Sequence, residues 1–111
     1  MLEPVQIIPG SVMTGTAATY YTAVYKTIIQ SMDLVNTTGA AVSCTVYRIA
    51  RGDTAAARNT TISASSVAAG ATYLCPEMVG MVLEPGDFIQ AFGNGVTIMA
   101  SGLWVVDDGD N

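Results

Sequence analysis

The strongest constraint on the fold is a repeated alternation between short β-prone segments and turn residues. Segments rich in Val, Ile, Thr and Tyr are interrupted by Gly, Asn and Pro at intervals of roughly 8–12 residues, which is typical of small all-β domains. The alanine runs at 55–57 and 68–71 are too short to nucleate a helix. The pattern therefore predicts an all-β fold of about eight antiparallel strands in a β-sandwich, with either jelly-roll or immunoglobulin-like strand order.

Turn residues set the predicted strand boundaries. The Asn-Thr-Thr-Gly stretch at 36–39 predicts a hairpin between the strands on either side, because its glycine can take positive φ and its polar side chains can satisfy turn amides. On the strand before this turn, Ile28, Met32 and Leu34 are predicted to share one face. The predicted strands cover residues 16–24, 26–35, 41–50, 60–67, 72–74, 87–92 and 96–106.

The beginning of the chain differs from the rest. Prolines and glycines within residues 1–15 resist regular structure, so this stretch is predicted to be an extended N-terminal arm. A single β-sandwich domain is expected over residues 16–106, with an acidic C-terminal tail at 107–111. The arm can order on docking to a partner, or it can be a frayed terminus. If it docks, its apolar side chains are the candidate contacts: Leu2, Val5, Ile7 and Ile8.

The chain carries unusually little charge for its size. Half of its 111 residues are hydrophobic and only 12% are charged, whereas about 25% is usual for a soluble domain. Since so few charges cannot cover a small domain, we expect Thr, Ser, Asn and Gly to cover most of the surface and part of it to be buried against other subunits. The net charge of −5 argues against nucleic-acid binding, which needs a cationic face.

The sequence predicts neither a membrane span nor a secretory route. No stretch approaches the 18 apolar residues of a membrane span, and the start lacks the basic region of a signal peptide. The chain is therefore expected to stay in a cytosol or to be released by lysis. In a reducing cytosol Cys44 and Cys75 are expected to be buried free thiols, although neighbouring strands could also place them close enough to pair.

Residues that carry enzyme chemistry are scarce. The chain has no histidine, no recognisable pair of catalytic carboxylates and no Gly-x-Ser-x-Gly motif. Two cysteines without histidine do not make a credible metal site. The Leu-Glu-Pro-Gly-Asp stretch at 83–87 is similar to a turn of cupin enzymes, but those enzymes bind metal largely through histidines. We therefore expect a non-enzymatic protein without metal or cofactor. The Pro85-Gly86 pair in this stretch predicts only a type II turn, because proline and glycine suit its two central positions.

A polar loop at residues 51–59 attracts attention for two reasons. Three of the four basic residues, Arg48, Arg51 and Arg58, fall within eleven positions in or just before the loop. The loop begins with Arg51-Gly52-Asp53, a tripeptide that adhesion receptors recognise. Short matches of this kind arise often by chance, and the two Asn-Thr-Thr sequons, at 36–38 and 59–61, require a secretory route to be glycosylated. The loop and the turn at 93–95 are predicted to contact neighbouring subunits through four residues: Arg51, Asp53, Arg58 and Asn94.

Three stretches together resemble a known family. They are IIQSMDLVNTTGAAVSCTVY at 28–47, ISASSVAAGATYL at 62–74 and MVLEPGDFIQA at 81–91. Their strand and turn pattern, completed by VTIMASGLWV at 96–105, is similar to that of small virion proteins of tailed bacteriophages. The similarity extends over residues 16–106. Members of this family are usually capsid decoration, neck or tail-fibre-associated proteins, so the resemblance implies a virion component assembled in the host cytoplasm.

The resemblance and the low charge lead to one functional prediction and two alternatives. The chain is predicted to be a capsid decoration protein that binds the major capsid protein and stabilises the shell, as a homo-oligomer with a trimer favoured by the three-fold sites of capsids. The first alternative is a neck or tail-fibre adaptor. The second is a carbohydrate- or receptor-binding module with Trp104 or the tyrosines as stacking platforms. Because Trp104 shares a strand face with Ile98 and Ala100, it is predicted to be buried in the core.

Overall fold

Nine strands account for most of the backbone of the residues that the structure describes. The computed structural model describes residues 1–106, so the predicted tail at 107–111 lies outside the described residues. Two short 3₁₀ turns, Ala57–Asn59 and Pro76–Met78, connect some of the strands. The strands are β1 (Leu2–Val12), β2 (Ala18–Thr22), β3 (Lys26–Asn36), β4 (Val42–Ile49), β5 (Thr60–Val67), β6 (Thr72–Tyr73), β7 (Val82–Leu83), β8 (Phe88–Phe92) and β9 (Val96–Val105).

The strands form two antiparallel sheets, which confirms the prediction of an all-β sandwich. Sheet 1 has the order β1-β9-β3-β6, and β7 also pairs with β3. Sheet 2 has the order β2-β8-β4-β5. The first three strands alternate between the sheets, and the last strand lies between the first and the third. This order is that of a jelly roll, in which two Greek keys interlock, rather than that of an immunoglobulin domain.

The turn at 36–39 does not close a hairpin, and this prediction was wrong. Its two flanking strands lie in different sheets, so the chain crosses the sandwich here. Asn36 is buried, and its Nδ2 donates to the carbonyl oxygens of Ala40 and Val67, each at 2.8 Å. Its Oδ1 accepts the Thr38 N–H at 2.9 Å. The same turn residues suit a hairpin and a crossing, so local sequence does not separate the two; the hairpin in sheet 2 is β4–β5 instead.

The predicted N-terminal arm is a strand of the sandwich, so this prediction is corrected. β1 pairs with β9 from Leu2 opposite Val105 to Val12 opposite Thr97. Ile7 and Ile8 belong to the core, with 4% and 1% of their surfaces exposed. β1 tolerates its prolines because it is an edge strand, where a missing N–H on the outer side costs little. Two register shifts after Gln6 accommodate the Pro9 region.

A bulge in β3 changes which side chains face the core. The pairing of β3 with β9 shifts register between Ile29 and Ser31. As a result Ile29 and Met32, three positions apart, are both buried, whereas Ile28 is only half-buried. The predicted grouping of Ile28 with Met32 and Leu34 is therefore corrected, because a bulge inserts one residue into the two-residue alternation of a strand.

Both cysteines are free thiols inside the core. Cys44 and Cys75 have no exposed surface. Burial raises the pKa of the Cys44 thiol, because a thiolate loses its hydration there. Burial likewise raises the pKa of Cys75 to about 12, with smaller contributions from Glu77 and Asp33. The protein therefore keeps these groups protonated at pH values where an exposed thiol ionises.

This shift in the pKa of Cys75 predicts a loss of stability in alkali. Between its ordinary pKa of 9.0 and about 12, the unfolded thiol releases its proton while the folded thiol retains it. The free energy of unfolding must then fall as pH rises through this window, by at most about 1.4 kcal/mol per pH unit for one proton. Urea denaturation at a series of pH values should show a shallower fall for Cys75→Ala than for the wild type. Parallel pH profiles for the two proteins would contradict the assignment.

Candidate interaction surface

The surface with the most unusual chemistry lies at one end of the sandwich. Strand pairing brings the parts of this surface together. In sheet 2 β4 ends beside the start of β8, and in sheet 1 β9 ends beside the start of β3. Ile49 pairs with Phe88 in sheet 2, and Lys26 pairs with Val105 in sheet 1. Leu2 also pairs with Val105, so the start of β1 reaches the same end. The loop at 51–59 and the turn at 23–25 both extend from this end.

The predicted turn at Pro85-Gly86 joins these parts. Gly86 has a φ of 95°, and the Asp87 N–H donates to the Glu84 carbonyl at 2.9 Å, as expected for a type II turn. The buried Asp87 carboxylate accepts the backbone N–H groups of Glu84 at 2.9 Å and Arg51 at 3.1 Å. The Arg51 side chain packs beside the Gly86 Cα, where a Cβ would overlap with it. The aspartate of the Leu-Glu-Pro-Gly-Asp stretch thus fixes the start of the 51–59 loop.

The Arg-Gly-Asp tripeptide is folded into its own loop. The Asp53 N–H donates to the Ala50 carbonyl at 2.9 Å, and Gly52 supplies a φ of 82°. The Asp53 carboxylate accepts the Thr54 N–H at 2.8 Å and also pairs with the Arg58 guanidinium. These two interactions, the Thr54 hydrogen bond first, lower the pKa of Asp53. The carboxylate is thus engaged in holding the loop together.

Exposed apolar side chains concentrate at the same end. We call this surface the apolar end; five large hydrophobic residues there are between 36% and 70% exposed. Val24 and Tyr25 belong to the turn before β3, and Val82 pairs with Ile28 near the start of β3. Scattered apolar side chains are normal on a protein surface, but clusters of this kind mark interaction sites. The apolar end comprises Met1, Leu2, Val24, Tyr25 and Val82.

Trp104 packs beside this surface with two tyrosines. Its indole Nε1 donates to the Tyr21 hydroxyl at 2.9 Å, and that hydroxyl lies 3.0 Å from the Thr27 hydroxyl. The Tyr25 ring lies 5.1 Å from the indole, between centroids, at an angle of 56°. Trp104 is half-buried on the face that carries Ile98 and Ala100, which are buried. The predicted core burial of Trp104 is therefore corrected, because the indole shares the core-side face of β9 but remains partly exposed near the strand end, and Tyr25 is the more exposed member of the pair.

The structure places only some of the predicted contact residues on one surface. Leu2, Arg51 and Arg58 are exposed at the end just described, and Asp53 is half-buried beside them. Val5 is half-buried, whereas Ile7 and Ile8 are core residues. Asn94 is exposed at the opposite end, since it follows β8, which begins at the 51–59 end. The two predicted contact loops therefore lie at opposite ends of the sandwich.

Sequence reasoning missed two features of this end. Val24, Tyr25 and Val82 were not among the predicted contacts, although Tyr25 does fall between the predicted strands at 16–24 and 26–35. Arg48 lines a cleft of about 250 Å³ between the 51–59 loop and Met81. The sequence around Arg48 does not indicate this cleft, because Met81, which also lines it, lies 33 positions later in the chain.

Comparisons with known proteins leave the function to be argued from the chain itself. No model of a known protein family matches the sequence, and no curated protein or solved structure matches it either. Among the described residues, no helix is long and apolar enough to cross a membrane. Within the same residues, no group of three or more His, Cys, Asp and Glu side chains is placed to hold a metal ion.

Proposed function

We propose that this chain is a non-enzymatic structural protein of a phage particle, a capsid decoration protein that docks on the shell through its apolar end. The observation that carries the proposal is the concentration of exposed apolar side chains at one end of a domain with very little charge. Burying such a surface against a neighbour releases water from apolar atoms and favours association. The major capsid protein is the proposed partner, and the virion the proposed location.

Two further considerations support this proposal. The jelly roll is a common fold of viral capsid proteins, so the fold supports a role in the virion by analogy. The three stretches at 28–47, 62–74 and 81–91 resemble small virion proteins of tailed phages.

We also propose that the chain forms a closed homo-oligomer, with a trimer favoured because capsids offer three-fold sites. Sedimentation distinguishes such a trimer from the 11.5 kDa monomer.

A matched pair of substitutions tests whether the apolar end is the docking surface. Val24 and Val12 are similarly exposed, at 70% and 65%, but Val12 lies at the other end of sheet 1. A carboxylate buried at an interface without a partner is costly, so Val24→Glu is expected to weaken binding to particles that lack the protein by about 100-fold. Val12→Glu should bind like the wild type. Co-sedimentation with such particles measures both; equal binding by the two variants would exclude the apolar end.

A carbohydrate- or receptor-binding module is the second candidate function, because jelly rolls also occur in lectins and an exposed aromatic side chain lies beside Trp104. Aromatic faces stack on sugar rings, and Tyr25 is the accessible member of the pair. Glycan-array binding that is lost in Tyr25→Ala but kept in Val12→Ala supports this candidate. A wild-type array without binding counts against it.

A further inference from the structure

Arg48 is a charged side chain on the core side of sheet 2. β4 alternation places it on the same side as Cys44 and Val46, and it pairs in register with the buried Ile89. Its Nε is buried, and within residues 1–106 that atom has no hydrogen-bond acceptor. Buried polar groups are almost always satisfied, so an unpaired guanidinium nitrogen requires an explanation. The side chain reaches the cleft of about 250 Å³ that opens beside the 51–59 loop.

The other polar groups of this cleft are already occupied. The Thr60 hydroxyl donates to the Ala56 carbonyl at 2.9 Å, and the Thr61 hydroxyl donates to the Val46 carbonyl at 3.0 Å. The Asn59 amide bridges two backbone groups of its own loop. Arg58 at the cleft mouth is paired with Asp53. Arg48 is thus the one polar side chain lining the cleft that makes no hydrogen bond to another described residue.

We infer that this cleft binds a carboxylate, presented by an acidic side chain of a neighbouring protein subunit. A guanidinium forms paired, charge-assisted hydrogen bonds with a carboxylate. The cleft is smaller than the roughly 300–1,000 Å³ of typical small-molecule sites, which suits one side chain. A sugar acid fits less well, because the cleft hydroxyls and the Asn59 amide that would bind sugar hydroxyls already form hydrogen bonds with the backbone. The inference deepens the proposed function by naming the chemistry of one partner contact, and it rests on that function for the partner being a protein.

The test uses the isolated protein, so it can fail separately from particle binding. The probe is the tripeptide acetyl-Ala-Asp-Ala-amide, and acetyl-Ala-Asn-Ala-amide is its uncharged control. Titration followed by NMR should shift the Arg48 Nε–H signal and the amides of residues 58–61 with the aspartate peptide. The asparagine peptide should bind at least about tenfold more weakly, as should the aspartate peptide to Arg48→Gln. Arg51→Gln, an arginine of the same loop outside the cleft, should stay within about twofold of the wild type.

Three results would overturn the inference. The first is an Arg48 signal that does not move at saturating aspartate peptide. The second is equal weakening by Arg48→Gln and Arg51→Gln, which indicates general charge attraction. The third is tighter binding of glucuronate than of the peptide, which indicates a site for a sugar acid. If Arg48→Gln does not fold, Arg48→Lys replaces it, because lysine keeps the charge and loses the paired geometry; affinity should again fall.

Discussion

Replacing Gly102 by alanine is expected to lower the free energy of unfolding by about 3 kcal/mol or more, and replacing it by valine to abolish folding. Gly102 is buried in β9 opposite Ile29 of β3. A Cβ there would overlap with the Ile28 carbonyl oxygen and lie 2.6 Å from the Ile7 Cδ1. The first of these atoms belongs to the backbone of the neighbouring strand, so relief requires β3 and β9 to move apart.

Gly39→Ala provides the matched control for this prediction. Nothing lies within 4 Å of the Cβ position at Gly39, and its φ is not in the left-handed region. Its free energy of unfolding should stay within about 0.5 kcal/mol of the wild type. Urea denaturation of the purified proteins measures both changes. A Gly102→Ala protein as stable as Gly39→Ala would show that β1, β3 and β9 do not pack as closely as described.

The second large effect is expected at Asn36, where the chain crosses between the sheets. Asn36→Ala removes the donor to the buried Val67 carbonyl oxygen, the acceptor of the Thr38 N–H, and one of the two donors to the Ala40 carbonyl oxygen. A buried polar group left without a partner costs about 1–3 kcal/mol, so we expect a total loss of about 3 kcal/mol. Asn36→Asp should also destabilise, because a carboxylate accepts from Thr38 but cannot donate to Val67.

The other Asn-Thr-Thr triplet supplies the comparison. Asn59 also bridges backbone groups through its amide, accepting from Ala56 and donating to Thr54, but it is only half-buried. Water can replace these partners, so Asn59→Ala is expected to cost about 1 kcal/mol. Thermal or urea denaturation of both alanine variants checks the order. Equal losses would indicate that burial at Asn36 does not govern its contribution.

Much of the fold could be predicted because strand formation here follows local patterns. The segment from Thr60 to Val67 was bounded correctly, and β3 extends only one residue beyond the predicted strand at 26–35. The type II turn at Pro85-Gly86 was also predicted correctly, since proline presets φ at the first central position and glycine permits positive φ at the second. These features depend on residues that are neighbours in sequence.

The errors concern pairing between distant segments. Prolines and glycines in β1 suggested an arm, but pairing with β9, about 90 residues later, makes it an edge strand that tolerates them. The Asn36 turn serves a crossing rather than a hairpin because the pairing of β3 with β9 decides its sheet. The apolar end and the Arg48 cleft combine side chains from separate strands and loops. Their composition therefore becomes visible only once the jelly roll is assembled.

The most direct measurement of the proposed role is the number of copies of this chain per particle. Quantitative mass spectrometry of purified phage particles, produced from a genome that encodes the chain, compares its peptides with those of the major capsid protein. A decoration protein predicts on the order of hundreds of copies, since it follows the symmetry of the shell. A dozen or so copies would contradict decoration and favour a neck or tail-fibre adaptor. The absence of the chain from the particles would contradict the role in the virion altogether.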